Sequence, residues 1–514
     1  MPTEHYLMTT YGRLPVAFTH GEGAWLWDEG GRRYLDGLAG VAVNGLGHAH
    51  PAIVETICAQ ARRLIHVSNW YENREQQTLA ERLCAVAGMD RVFFANSGAE
   101  ANEAALKLAR LHGRRKGVEA PAVIVMEGSF HGRTLGTLSA SGSRKVQAGF
   151  EPLVPGFRRV PFNDLDAVRQ VGARDQTVVA VLVEPILGEG GIQVPDAGYL
   201  KGLRKICDEA GWLLILDEIQ TGLCRSGAWF AWQHEQARPD VMTVAKALGN
   251  GLPIGACLAH GTAAELFHPG QHGSTFGGNP LAAAVGRTVI ETLEGMRAWE
   301  RAAALGQGLL NGLRERLHDT AGVKAVRGRG LLLGIELDRP AHAVMRLALN
   351  RGLLLNVTAE RVVRLLPPLI LSDEEARLLT SGTAAELFHP GQHGSTFGGN
   401  PLATAVGRTV IETLEGMRAW ERAAALGQGL LDGLRERLRD TAGVKAVRGR
   451  GLLLGIELDR PAHAVMRLAL NRGLLLNVTA ERVVRLLPPL ILSDEEARLL
   501  TSGTADAIQE FLAS

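Results

Sequence analysis

An apolar run that ends in acid and amide groups, Trp212-Leu-Leu-Ile-Leu-Asp217-Glu218-Ile-Gln220, is followed 29 positions after Asp217 by Lys246 in Thr-Val-Ala-Lys-Ala-Leu-Gly. A lysine amine forms an imine with an aldehyde, and a buried carboxylate can face a protonated pyridine nitrogen. Together they are the minimum equipment for pyridoxal phosphate chemistry. At about 4 Å and an effective dielectric near 20, an ion pair is worth roughly 4 kcal/mol, enough to move a pKa by a few units. Asp217 can thus keep a pyridinium protonated at neutral pH. The same two residues also fit an ordinary strand end and helix start, which any α/β protein supplies.

Phe93-Phe-Ala-Asn96-Ser97-Gly98-Ala99-Glu100 reads as a strand, a tight turn and a helix start. Backbone amides at such a helix N-terminus, with the Ser97 hydroxyl, suit a phosphate. Ser97 with Glu100 three residues on is equally a plain capping box. Arg133 follows Gly128-Ser-Phe130-His131-Gly132 just beyond a strand, and Arg364 lies in the apolar Val-Val-Arg-Leu-Leu-Pro-Pro. A guanidinium in such a setting needs an anion, since an unpaired buried charge costs several kcal/mol. Substrate carboxylates would satisfy both by bidentate pairing, and a structural salt bridge would serve as well. Gly188-Glu189-Gly190-Gly191 lacks the spacing and strand-to-helix context of a dinucleotide fingerprint. His48-Ala-His50 has no carboxylate or cysteine cluster with it and reads as loop histidines, so no metal is expected.

The elements that position these groups are short apolar runs at 92–95, 122–126, 179–183, 212–217, 241–245 and 254–258, alternating with helical patterns. Strands this apolar are buried on both faces, which predicts an α/β fold with a mostly parallel sheet covered by helices. Ligands then bind beyond the carboxyl ends of the strands, where Asp217 and the loop after Met126 fall. Residues 25–36 form a hairpin with a turn at Gly30-Gly31. After Asn279-Pro280 a long helical pattern precedes short strands at 330–337, 352–356 and 362–366. These read as a smaller α+β domain completed by the N-terminal hairpin.

The 514 residues carry a formal charge of +1, which leaves no electrostatic footprint for nucleic acid and no polybasic membrane patch. Five cysteines without CxxC spacing fit a reduced, cytoplasmic compartment. The first residues lack the pattern of an export signal, and no apolar run reaches bilayer-spanning length. Small molecules are the expected partners.

Residues 261–381 recur at 382–502 with an offset of 121 and three differences: Ala283 against Thr404, Asn311 against Asp432, and His318 against Arg439. Solenoid repeats are shorter and diverge, so this reads as a recent or constructed tandem duplication. Copy one follows directly on the strand at 254–258, whereas using copy two means looping out 121 residues, at a closure cost of several kcal/mol. Copy one is therefore expected to supply Thr275 and Arg364, with Thr396 and Arg485 as their spare counterparts.

With one copy removed, the chain resembles over essentially its whole length the class-III pyridoxal-phosphate aminotransferases of fold type I. The stretches that carry the resemblance are Val43-Asn-Gly-Leu-Gly-His-Ala-His-Pro51, Asn96-Ser-Gly-Ala-Glu-Ala-Asn102, Phe130-His-Gly-Arg-Thr134, Val183-Glu-Pro-Ile-Leu-Gly-Glu189-Gly, Leu216-Asp-Glu-Ile-Gln-Thr-Gly222, Ala245-Lys246-Ala-Leu-Gly, Ser274-Thr275-Phe-Gly-Gly-Asn279-Pro and Arg364-Leu-Leu-Pro-Pro. The resemblance implies that Lys246 forms the imine and moves protons, that Asp217 binds the ring nitrogen and Gln220 the hydroxyl side, and that Phe130 stacks on the ring. Ser97, Gly98 and Ala99 would hold the phosphate, with Thr275 from the neighbouring subunit of a homodimer. Arg133 would take the carboxylate of an ornithine-type donor, and Arg364 the α-carboxylate of 2-oxoglutarate or glutamate. Glu189 would pair with Arg364 while the donor occupies the site.

The implied activity moves the distal amine of N2-acetylornithine to 2-oxoglutarate. Succinyldiaminopimelate, succinylornithine, ornithine and 4-aminobutyrate are donors of relatives, another relative isomerises glutamate 1-semialdehyde, and a binding protein disabled by the duplication is a further alternative. Two departures from the family pattern are Leu187, where glutamine is usual, and Cys224, where glycine is usual. The domain boundaries expected are 1–44 for the N-terminal part of the small domain, 45–290 for the large cofactor-binding domain and 291–381 for the small C-terminal domain. The second copy, 382–502, and a helix end, 503–514, complete the chain.

Overall fold

The computed structural model describes residues 8, 10–385 and 414–513; Thr396 lies outside them. The chain forms two compact units, Met1–Asn400 and Pro401–Ser514.

The first unit opens on an antiparallel meander of β1 (Phe18–Glu22), β2 (Trp25–Asp28) and β3 (Arg33–Asp36). Gly31 takes φ +77° in the turn between β2 and β3, a conformation that glycine adopts without steric cost. The apolar runs that follow are β4 (Arg91–Ala95), β5 (Ala122–Met126), β6 (Phe157–Val160), β7 (Val178–Val183), β8 (Leu213–Asp217), β9 (Val241–Val244) and β10 (Gly255–Ala259). They form one sheet in the order β4-β10-β9-β8-β7-β5-β6. From β9 to β6 every pairing is parallel, and β10 runs antiparallel to both β9 and β4. Every residue of β5, β7 and β8 is buried, as helices on both faces require. The carboxyl ends of β5, β7, β8 and β9 open at one rim, and the pairing of Gly255 with Ala95 brings the end of β4 there too.

The remaining strands of this unit are β11 (Val323–Arg329), β12 (Leu332–Leu337), β13 (Leu353–Leu354), β14 (Asn356–Thr358) and β15 (Val362–Leu365). Four of them make an antiparallel sheet in the order β11-β12-β15-β14. The fifth, β13, pairs parallel with β3, Leu353 opposite Leu35, and so joins the N-terminal meander to this region. The long helical pattern is two helices, Pro280–Gly295 and Ala298–Leu317, broken where Arg297 takes a left-handed backbone.

The second unit repeats the antiparallel sheet of residues 323–365. β16 (Val444–Arg450), β17 (Leu453–Leu458), β18 (Asn477–Thr479) and β19 (Val483–Leu486) form an antiparallel sheet in the order β16-β17-β19-β18. It has a core of its own, built around Leu434, Ile456, Val484 and Ile508. One face is bare. Leu332 and Leu366 in copy one are 0 % exposed, packed with Ala42, Ile186 and Ile192, whereas their counterparts Leu453 and Leu487 are 57 % and 59 % exposed. Covering a leucine fully is worth about 1.5–3 kcal/mol, so copy one gains stability that copy two forgoes. Among the described residues no helix is long and apolar enough to cross a membrane.

Candidate active site

At the rim of the large sheet lies a cavity of about 420 Å³, lined among others by Ser97, Gly98, Ala99, Phe130, Arg133, Glu189, Asp217, Gln220 and Lys246. Residues spread over 150 positions of sequence meet there because each follows the rim end of a neighbouring strand. Asp217 is the last residue of β8, and Lys246 comes two residues after β9. Phe130 and Arg133 follow β5, and Glu189 and Gln220 follow β7 and β8. Lys246 itself has φ +45°, a left-handed backbone that an L side chain adopts only when its surroundings enforce it.

The Asp217 carboxylate is held from three sides. Asn102 Nδ2 donates to Oδ2 at 2.8 Å, His131 Nδ1 lies 2.8 Å from the same oxygen, and the Ile219 amide donates to Oδ1 at 3.1 Å. Asn102 is fixed in turn, since its Oδ1 accepts from the Thr243 hydroxyl at 2.8 Å and its Nδ2 also donates to the His131 carbonyl. Asn102, His131 and Thr243 are buried supports that were not anticipated. The available signals were a lone amide in an alanine-rich helix and a lone hydroxyl in an apolar strand. Buried Glu184, just after β7, was missed for the same reason; it accepts from the Phe130 amide at 2.7 Å and the Gly188 amide at 3.0 Å, and burial raises its pKa.

Ser97 caps the helix Gly98–Arg115, its Oγ accepting from the Glu100 amide at 3.2 Å. Glu100 reaches back to the Asn96 amide rather than to Ser97, at 2.5 Å, so only half of the capping box forms. Ser97, Gly98 and Ala99 at this helix start line the cavity, so the cap stands beside a space large enough for a ligand. A Cβ at Gly188 would stand 2.2 Å from Gln220 Oε1, so glycine there leaves Gln220 room at the cavity wall.

Arg364 lies on β15, 1 % exposed; its Nη1 donates to Glu189 Oε1 at 2.6 Å and to Gln220 Oε1 at 3.4 Å, and its Nε to Asn356 Oδ1 at 3.1 Å. The Glu189 side chain is 39 % exposed, against 1 % for the arginine it pairs with. Arg133 is exposed, with its guanidinium 5.5 Å from the centre of the Phe130 ring. Burial pulls the Lys246 amine down to about 8 from its usual 10.5; Arg364 acts the same way, and Glu189, Asp217 and Glu184 oppose it. A far larger fraction of this amine is therefore neutral at pH 7 than of an ordinary lysine.

Thr275 is exposed and is not brought into the cavity of its own chain. His48 Nε2 lies 2.8 Å from Asp36 Oδ2, a hydrogen bond that ties the meander to the loop after it. Leu187 is buried and packs near Gly128. Cys224 has φ +71°, which explains a preference for glycine at that position and puts strain on the cysteine.

A helix start with Ser97, Gly98 and Ala99 on the cavity, a primary amine of lowered pKa and a firmly held carboxylate form a donor set that fits pyridoxal phosphate. The family model described as Aminotransferase class-III matches residues 6–385 and again 376–508. The chain belongs to this family and is a pyridoxal-phosphate-dependent aminotransferase of fold type I. It is 52 % identical over 380 residues to the acetylornithine aminotransferase of Nitrosomonas europaea, covering 74 % of this chain and 97 % of that one. It is 54 % identical over 370 residues to acetylornithine aminotransferase 1 of Bordetella parapertussis, covering 72 % and 94 %. Among solved structures, the ornithine aminotransferase of Toxoplasma gondii is similar at a TM-score of 0.72 and 38 % identity, covering 74 % of this chain and 92 % of that one. The acetylornithine aminotransferase of Elizabethkingia anophelis is similar at 0.67 and 34 %, covering 74 % and 96 %.

Proposed function

We propose that this enzyme moves the distal amine of N2-acetylornithine to 2-oxoglutarate, giving N-acetylglutamate 5-semialdehyde and glutamate, a step of arginine biosynthesis. The observation that carries the reading is the buried Arg364 held by the half-open Glu189 beside Lys246. Relatives named acetylornithine aminotransferase at 52 % and 54 % identity support it.

Ser97, Gly98 and Ala99 would hold the cofactor phosphate, Asp217 the ring nitrogen, Gln220 the hydroxyl side, Phe130 the ring face and Lys246 the aldehyde carbon. Bound there, pyridoxal phosphate supplies a carbonyl that accepts an amine and a ring that draws off the electrons left when a C–H bond breaks. Lys246 Nζ takes the proton from the amine-bearing carbon of the substrate and returns it elsewhere. Asn102, His131 and the Ile219 amide keep Asp217 oriented. Arg133 takes the donor carboxylate. Arg364 takes the α-carboxylate of 2-oxoglutarate once Glu189 swings away.

A dicarboxylate acceptor and a donor with a distal amine use the site in turn, so a positive group needed by one is a liability for the other. The Glu189–Arg364 pair screens it reversibly. Glu189→Ala should leave the glutamate half-reaction intact or faster and slow the acetylornithine half-reaction about tenfold. Equal loss in both, read by single-turnover absorbance, would leave Glu189 as a structural acid.

The lowered pKa of Lys246 sets a pH dependence. Only the neutral amine attacks a carbonyl, so uptake of pyridoxal phosphate by the apoenzyme should accelerate as pH rises through about 8 and level off above it. A flat profile from pH 7 to 9, followed by visible absorbance, would contradict this.

The chain would work as a homodimer, with Thr275 of the partner subunit completing the phosphate site. Exposed Leu64, Ile65, Trp70, Tyr71 and Phe276 support this. Asn69 Nδ2 donates to the Ser274 and Gly277 carbonyls and the His66 ring sits 5.2 Å from that of Phe276, so the apolar belt and the Thr275 loop are one surface. Five unpaired cysteines support a cytoplasmic location. A donor panel with 2-oxoglutarate, read by glutamate formed, tests the substrate: kcat/KM should be highest for N2-acetylornithine, ahead of succinylornithine, succinyldiaminopimelate, ornithine and 4-aminobutyrate. A higher value for any other donor would reassign it.

A further inference from the structure

Arg225 is 2 % exposed, and among the described residues it has no carboxylate in ion-pair contact. Its Nη1 donates to two carbonyls, Leu331 at 3.1 Å and Pro367 at 2.5 Å, and its own carbonyl accepts from the Leu331 amide at 2.9 Å. Nη2 is buried with no partner. Leu331 directly precedes β12, and Pro367 comes three residues after Arg364, so one side chain grips the ends of both strands on which the Arg364 register rests.

The same side chain belongs to the loop that leaves β8 at Asp217 and carries Gln220, which accepts from Arg364. That loop is pinned near its start, where buried Glu218 accepts from the Thr221 hydroxyl and from the Ala231 and Trp232 amides. Between the pins, Leu223 and Cys224 have φ +53° and +71°, successive left-handed residues that neither side chain favours. Contacts, not local preference, therefore hold the loop in this shape. A mere filler at position 225 would do as well with an apolar side chain, since a buried guanidinium without an anion is costly to keep.

We infer that Arg225 is a positioning residue: it locks the Arg364 strand to the Gln220 loop and thereby sets recognition of the carboxylate acceptor. The inference rests on the reading in which Arg364 binds 2-oxoglutarate. Asp36, whose charge acts on Arg225 without a contact between them, is already engaged by His48 and by the Leu38 and Ala39 amides.

The test uses full-length holoenzyme with Arg225→Met and Arg225→Lys, measuring each half-reaction by single turnover, cofactor per chain and thermal midpoint. Arg225→Met should raise the concentration of 2-oxoglutarate needed for half-maximal rate tenfold or more, change the acetylornithine half-reaction less than threefold and keep one cofactor per chain. Arg225→Lys, which keeps a donor, should recover part of the acceptor affinity. Equal loss in both half-reactions, or no change in either, would overturn the inference. If the Met variant does not fold, the Lys variant decides by the same split at a smaller size. Arg364→Ala separates the layers: if it leaves the acceptor half-reaction intact, the reading beneath fails, and if it weakens that step while Arg225 variants do not, only the positioning role fails.

Discussion

Replacing Lys246 with alanine is expected to reduce transamination about a thousandfold or more, because the variant loses both the amine that holds the cofactor and the base that moves the proton. Borohydride treatment of the wild-type holoenzyme should fix one cofactor per chain on the peptide containing Lys246, and none in Lys246→Ala. One per chain is expected because the duplicated stretch contains no second copy of the Lys246 motif. Two per chain, or label on another peptide, would show that the repeat carries a site of its own.

Arg364→Ala and Arg485→Ala should differ by orders of magnitude although the two arginines sit in identical sequence. Arg364 reaches Glu189 and Gln220 at the cavity. Arg485 donates through Nε to Asn477, as Arg364 does to Asn356, but among the described residues it has no carboxylate beside it. Losing one partner of a buried charged pair costs about 2–5 kcal/mol, so kcat/KM for 2-oxoglutarate should fall roughly thirty- to several-thousandfold in Arg364→Ala. Arg485→Ala should stay within about twofold. The reverse pattern, from the same steady-state assay, would mean that copy two completes the enzyme.

The central sheet was legible because strands buried on both faces leave an unmistakable apolar run; β5, β7 and β8 are cases in point. The edge strand β6, Phe-Arg-Arg-Val, and β11, with its lysine and two arginines, carried no such signal and emerged only through pairing with neighbours. At the site, Lys246, Asp217 and the Ser97 turn were legible because each combines a reactive group with a recognisable strand end. Asn102, His131 and Thr243 were not, because their importance lies in contacts with residues more than eighty positions away. Arg364 was visible as a charge in an apolar strand, but its ionic partner came from a loop 175 residues distant. Burial of equal sequence differs between the copies because only the first has Ala42, Ile186 and Ile192 against it.

A single site per chain should take a distal amine and pass it to 2-oxoglutarate. This is tested most directly by adding N2-acetylornithine to the holoenzyme without acceptor and following visible absorbance, removing the unreacted donor and its product by gel filtration, then adding 2-oxoglutarate. The donor should bleach the band, one equivalent of 2-oxoglutarate per chain should restore it, and one glutamate per chain should be released. A band unchanged by the donor, or one bleached but not restored by 2-oxoglutarate, would contradict this.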